Sequence, residues 1–202
     1  ANASVGALHD APSGLLRVNA PVTLTVVALS RSIPAFLDRY PNISLDLDLN
    51  DRRIDLVKEG HDVAIRGSDV LEDSSLVARK LMVLSHVLCG APAYFERCGI
   101  PREPGELHAH QLVQFSLSGH AQAWTFRKDE DVARIPVEGR YRVSSSLAVH
   151  DALRAGFGLS LIPRIYVHDD LIRGDLRAVL HDWSADETSI YAVYPSRRHL
   201  AP

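Results

Sequence analysis

Several chemistries lack their usual residues in this sequence. Two cysteines among 202 residues, Cys89 and Cys98, are too few for a disulfide scaffold and suit a reducing compartment. No run of about 18 apolar residues occurs, so no membrane-spanning helix is expected. The opening ANASVGALHDAPSG lacks a basic start followed by an apolar core, so no secretory signal is expected. Neither sign of charge dominates: 22 Lys+Arg stand against 25 Asp+Glu, a net charge of -3. This chain is therefore not expected to grip a nucleic-acid backbone by itself, which needs clustered cations. Its dense basic cluster, SRRH at 196–199, reads as a solvated loop.

Catalytic signatures are missing too. GLSLI around Ser160 lacks the second glycine of a nucleophile elbow, no phosphate-binding glycine loop occurs, and GFG (156–158) reads as a helix stop. His150 and Asp151 are helix neighbours that point different ways. The paired Asp46 and Asp48 fall on the solvent side of a strand. Ten histidines are present, yet the nearest approach to a metal spacing, HAH (108–110) with His120, reads as loop. No enzyme, metal site or cofactor is expected.

What is present is an ordinary globular composition, 46% hydrophobic and 23% charged, with an α/β rhythm. Residues 1–13 read as a linker or tail. LLRVNAP (15–21) alternates as a strand, and Thr23 heads a helix whose apolar positions Val26, Val27, Leu29, Ile33, Phe36 and Leu37 recur at helical spacing. Pro34 must kink that helix or start a second segment, and Tyr40-Pro41 ends it. ISLDLDL (43–49) places Ile43, Leu45, Leu47 and Leu49 on one face. The spacing then predicts a helix capped by Asp51, carrying Ile54, Leu56 and Val57 and stopped by Gly60, before the strand DVAI. Such strand–helix–strand repeats imply a largely parallel sheet. Further on come the extended run LMVLSHVLCG (81–90), the helix AYFERCG, the strand QLVQF and a hairpin anchored by Trp124 and Phe126. The helix SSSLAVHDALRAG (144–156), the buried strand GLSLIP, a helix in YVHDDLIRGDL and a last strand SIYAVYP (189–195) complete the series.

Three helix starts follow strand ends: APVT (20–23), NDRR (50–53) and VSSS (143–146). Free backbone N–H groups and the helix dipole favour an anion at such junctions. Ligands of parallel α/β sheets bind beyond the carboxyl ends of strands. Thr23, Ser145 and Ser146 can cap their helices or reach a ligand. Arg66, read as the end of a strand, can pair with an acid while Gly67 lets a ligand near the backbone; a structural salt bridge to a neighbouring Asp is the rival.

The segments GLLRVNAPV, PAFLDRYPNISLDLDLNDRRIDLVKEGHDVAIRG, SSLVARKL, GAPAYFERCGIPREPGEL, GFGLSLIP and YAVYP, taken in order from about residue 14 to the end, resemble the effector-binding domain of LysR-type transcriptional regulators. The resemblance implies a two-lobed, type II periplasmic-binding-protein-like α/β fold, each lobe a mostly parallel sheet flanked by helices, joined by two crossover strands. Lobe I would hold 15–86 and 188–202, and lobe II 87–187, with crossings near SHVLCG and SIYAVYP. An effector in the cleft would meet Pro21, Val22, Thr23, Asp51, Arg66 and Gly67 from one side, and Phe115, Ser116, Ser144, Ser145, Ser146, Ile162 and Pro163 from the other. The effector would be a small, anionic organic molecule.

In that family a winged helix-turn-helix and a long linker helix precede the domain, and neither is in this sequence. DNA contact would come only through that missing head. The implied protein is a cytoplasmic homodimer, with a tetramer open to the intact chain, and no membrane partner. A closing helix expected after HLAP is also missing. Two other readings use related scaffolds: a free-standing solute-binding protein feeding a transporter, and an enzyme.

Overall fold

The computed structural model describes residues 12–52, 54–56, 58–68 and 76–196. Most of the expected tail, Val57 of the expected second helix, most of SRRH and the HLAP end lie outside the described residues.

β1 (Gly14–Ala20) runs parallel to β2 (Ile43–Leu49), Gly14 opposite Ile43 and Ala20 opposite Leu49. Its second half turns inward, with Val18, Asn19 and Ala20 all buried. A buried amide needs partners. The Asn19 side chain donates to the Asp48 carbonyl at 3.2 Å and to the Asp48 carboxylate at 3.1 Å, so Asp48 also serves the sheet interior.

Between these strands the chain is helical from 22 to 39, though not as one α-helix. α1 (Val22–Leu24) passes into a π turn (Thr25–Leu29), a 3-10 turn (Ser30–Ser32) and α2 (Ile33–Arg39). Pro34 sits in the first turn of α2, where its missing N–H does least harm, and the irregular turns before it absorb the break. The apolar stripe is only partly used: Leu29 packs against the core and Val26 is 56% exposed.

The helix expected over 51–60 does not form among the described residues, which make turns instead. Side chains outcompete the helix for its backbone donors. Asn50 Oδ1 accepts the Arg52 N–H at 2.9 Å and Asp55 Oδ1 the Lys58 N–H at 3.2 Å. Asp51, the expected cap, instead accepts the N–H of Val22 at 2.9 Å. β3 (Val63–Ser68) follows, and pairs parallel with β1 at Val18 and Asn19.

β4 (Leu76–Leu84) leads through Ser85 into β5 (His86–Gly90), where the chain changes sheets. There follow α3 (Pro92–Cys98), a 3-10 turn (Pro104–Ala109), β6 (Val113–Phe115), the hairpin β7 (Ala123–Lys128) and β8 (Asp131–Pro136), and β9 (Tyr141–Val143). Next come α4 (Ser146–Arg154), β10 (Ser160–Pro163), a 3-10 turn (Arg164–Tyr166), α5 (His168–Arg173), β11 (Arg177–Val179), β12 (Ser184–Ala185) and β13 (Thr188–Pro195).

The first sheet has the order β2-β1-β3-β13-β4; the others are β10-β5-β11, β12-β7-β8 and β6-β9. Pairing is mixed. β1 is parallel to both neighbours and β6 is parallel to β9, as the strand–helix rhythm implies. β13 is antiparallel to β3 and β4, because it re-enters the first sheet from the opposite side of the molecule. β5 is antiparallel to β10 and β11.

Two apolar clusters fill the second half. Tyr94, Leu107, Trp124, Phe126 and Leu159 make one, and Cys89, Val113, Val149, Leu153 and Ile162 the other. Gly158 is required where β10 begins: a Cβ there would collide with the Gln111 carbonyl, which accepts the Leu159 N–H at 2.8 Å. A third, smaller cluster of Leu24, Leu84 and Ile190 takes in Ile165 and Tyr166, so the two halves touch along one side.

Beside α4 and α5, Asp170 is buried with its side chain 5% exposed. His150 Nε2 lies 2.7 Å from it, Arg173 Nη2 3.0 Å and Arg154 Nε 3.6 Å. Burial alone would raise this carboxyl's pKa. The His150 hydrogen bond and the charges of His150, Arg154 and Arg173 outweigh it and hold the pKa below 3.8. Asp170→Asn should therefore cost about 1–3 kcal/mol in urea unfolding at neutral pH. Since the folded pKa is depressed, the wild-type advantage should be full above about pH 4 and shrink as pH falls through the folded value.

Candidate functional site

A cavity of about 380 Å³ lies between the first sheet and the β5 sheet. Pro21, Thr23 and Leu24 reach it from the start of the helical run, Asp51 from beyond β2, and Arg66 and Gly67 from β3. The facing wall is Phe115, the turn 117–119, Ser146 and Val149 one helical turn apart on α4, and Leu161, Ile162, Pro163 and Tyr166. The back is made where the chain passes between sheets: Leu84 and His86 on one passage, Thr188 and Ile190 on the other, closed by His120 and Trp124.

Of the residues picked from the sequence, Pro21, Thr23, Asp51, Arg66, Gly67, Phe115, Ser146, Ile162 and Pro163 line this cavity, while Val22, Ser116, Ser144 and Ser145 do not. Val22 contributes its N–H to Asp51. Ser116 follows the inward-facing Phe115 and donates its N–H to the Val143 carbonyl at 2.8 Å. α4 turns Ser146 and Val149 to the cavity, which leaves Ser144 and Ser145 off that face. Ser145 makes no side-chain cap bond either. The lining residues that sequence reading missed, above all His86, His120, Trp124 and Tyr166, come from four separate segments. No local spacing marks them.

Three expectations about chemistry are corrected by the geometry. The helix start at Val22 is already answered by a carboxylate, that of Asp51. Arg66 does not end its strand, since β3 continues through Ser68, and Tyr191 and Ile190 of β13 pair with Arg66 and Gly67. Its guanidinium donates to the carbonyls of Arg52 at 3.1 Å and Ile54 at 3.3 Å, tying the turn that carries Asp51 to the sheet. Gly67 makes room for β13 more than for a ligand: a Cβ there would lie 3.1 Å from Thr188 Cγ2.

The electrostatics follow from burial. Desolvation raises the Asp51 carboxyl above 3.8, and the Val22 N–H only partly offsets it. Burial, then the nearby His120, pushes His86 down to about 4, against the carbonyls of Asp186 and Leu84. The two imidazoles meet edge to face, 4.8 Å between centroids. Burial and the Asp51 charge raise the Tyr166 phenol. Thr23, 4% exposed, has a hydroxyl oxygen with no hydrogen-bond partner among the described residues. Among those residues no group of three or more His, Cys, Asp or Glu could hold a metal. No described helix is long and apolar enough to cross a membrane.

Two outcomes are expected. Arg66→Ala should speed amide hydrogen exchange over 50–56 by releasing two backbone carbonyls, at a cost of about 1–3 kcal/mol; unchanged exchange there would contradict the tie. Because the folded His86 pKa lies below its ordinary 6.5, the unfolded chain binds the extra proton between about 4 and 6.5. Unfolding free energy should then rise with pH across that window, and His86→Gln should flatten the slope.

The family model described as the LysR substrate binding domain matches residues 9–202. An HTH-type transcriptional regulator of Haemophilus influenzae is 28% identical over 200 residues, 99% of this chain and 69% of that protein. The HTH-type transcriptional activator AaeR of Escherichia coli K12 is 28% identical over 194 residues, 96% of this chain and 62% of its own length. Among solved structures, the CrgA regulatory domain of Neisseria meningitidis, a LysR-type transcriptional regulator, superposes with a TM-score of 0.81 at 26% identity, covering 94% of this chain and 93% of that one. The full-length virulence activator AphB of Vibrio cholerae gives 0.80 at 30% identity, covering 93% of this chain and 63% of that one. These relatives are regulators and not enzymes, and they lend the transporter reading no support. The chain thus spans about two thirds of the curated regulators it matches. With its two-lobed, type II periplasmic-binding-protein-like fold, this chain belongs to the LysR substrate-binding domain family.

Proposed function

We propose that this domain senses a small organic molecule, most simply an acid, in the cavity between lobe I (residues 15–86 and 188–202) and lobe II (87–187). The observation that carries the reading is one cavity lined from the first sheet and from the β5 sheet, with Thr23 and Ser146 on opposite walls. The Thr23 oxygen is buried with no partner among the described residues, a state that costs about 1–3 kcal/mol until a ligand or a rearrangement satisfies it. A carboxylate would take donors from Thr23 and Ser146 and the field of Arg66, while Phe115, Ile162 and Leu24 would cover its apolar body. Pro21, Gly67 and Pro163 shape the wall; Val22, Ser116, Ser144 and Ser145 act at most through the backbone of their turns.

The mechanism is a population shift. A ligand bridging the two walls favours one spacing of the lobes over another, and moves the equilibrium only by its difference in affinity for the two. In the intact regulator that shift would re-space the subunits of a cytoplasmic homodimer or tetramer, and with them DNA-binding heads that lie outside this sequence. The relatives' names as helix-turn-helix regulators support this part of the reading.

A thermal-shift screen of small organic acids tests it, because a ligand specific to the folded state raises the melting temperature. For a hit, Thr23→Val and Ser146→Ala should each weaken binding by about 5- to 30-fold in calorimetry, the loss of one hydrogen bond. A hit whose affinity neither substitution alters binds elsewhere.

A further inference from the structure

Asp51 is an unusual wall for an acid-binding cavity. Its carboxylate lines the space and is partly buried, and among the described residues its bonded partner is the N–H of Val22 at 2.9 Å, through Oδ1 alone. Burying a carboxylate with one donor is costly, and a second donor would lower that cost. Across the boundary stands Tyr166, in the 3-10 turn after β10, its ring held against Leu24, Leu84 and Ile190. Both side chains line the same cavity, and the Asp51 charge is felt at the Tyr166 phenol. An acid and an electron-rich ring on facing walls form the chemistry that holds an ammonium: a charge-assisted hydrogen bond on one side, ring face or phenol oxygen on the other.

Arg66 adds the opposite sign close by, since its guanidinium bonds the carbonyls of Arg52 and Ile54, next to Asp51 in the chain. The wall therefore offers a negative and a positive charge side by side, with His86 neutral behind them. A simple carboxylic acid would meet the Asp51 charge with nothing to match it, and like charges in a part-buried site repel. Resting on the cleft as the effector site, we propose that the effector is an ammonium acid, such as an amino acid, whose ammonium group sits between Asp51 of lobe I and Tyr166 of lobe II. A ligand held this way contacts both lobes through one group, which is what a change of lobe spacing requires.

Matched ligands test this directly. On a phenylpropyl skeleton the probes are 3-phenylpropionate, phenyllactate, phenylalanine and phenethylamine; on a branched aliphatic one, 4-methylpentanoate, its 2-hydroxy acid, leucine and isopentylamine. Calorimetry at about pH 7 should show the amino acid binding at least about tenfold more tightly than the deaminated acid on one skeleton or both. Asp51→Asn retains the Oδ1 acceptor for Val22, and Tyr166→Leu retains apolar packing. Each should shrink that ratio to within about threefold. Deaminated acids or hydroxy acids binding as tightly as the amino acids on both skeletons would overturn the proposal, as would a ratio that survives both substitutions. Binding by none of the eight would overturn the proposal, while the cleft reading stands or falls on the thermal-shift screen.

Discussion

β13 is the constraint on which the rest of the structure depends. It enters the first sheet between β3 and β4, antiparallel to both, after the chain has built the whole second half of the molecule. The first sheet is therefore complete only when the two passages between sheets, Leu84 to His86 and Ala185 to Thr188, lie next to each other. Those passages set the back of the cavity, where Leu84, His86, Thr188 and Ile190 meet. Gly67 belongs to the same constraint, because a side chain there would press on Thr188. Folding of this sheet must close a loop of more than half the chain, from Ser68 to Ser189, a contact pattern that folds slowly.

The second determinant is how few polar groups in the cavity are left for a ligand. The family resemblance makes Asp51 and Arg66 effector contacts, yet each has a structural task. One answers the helix start at Val22 and the other fastens the turn from which Asp51 projects. They are linked, so a ligand that engages Asp51 also bears on the helical run and on β3. His86 faces the cavity as a neutral ring, held so by burial and by His120, and adds a hydrogen-bonding surface without charge. The site is mainly apolar with a dipolar edge, and that edge, more than net charge, sets what fits.

How much of this was legible depends on distance along the chain. Period-two alternation marks β1 and β2, and helical spacing with its glycine stop marks α4, because those signals are local. The spacing implies a helix over 51–60 with Asp51 as its cap and Asn50 and Asp55 nearby. Here they bond turn backbones and a distant N–H instead. Thr23, Arg66 and Ser146, which line the cavity, can be picked out from strand ends and helix starts, whereas His86, His120, Trp124 and Tyr166 cannot. Those four lie on β5, in the turn before β7, on β7 and in the turn after β10, and meet only in the tertiary fold. The division into two lobes came from the family resemblance, since strand–helix rhythm alone cannot show where a sheet ends.

The claim at the centre is that one molecule in this cavity is touched by both lobes. Backbone amide shifts in a two-dimensional NMR titration, with any ligand that raises the melting temperature, report on it most directly. The account predicts that Thr23 and Gly67 of one lobe and Phe115 and Ser146 of the other move together with a single dissociation constant. Shifts confined to one lobe, or clustered at the outer groove between Ile100 and Trp183, would contradict it.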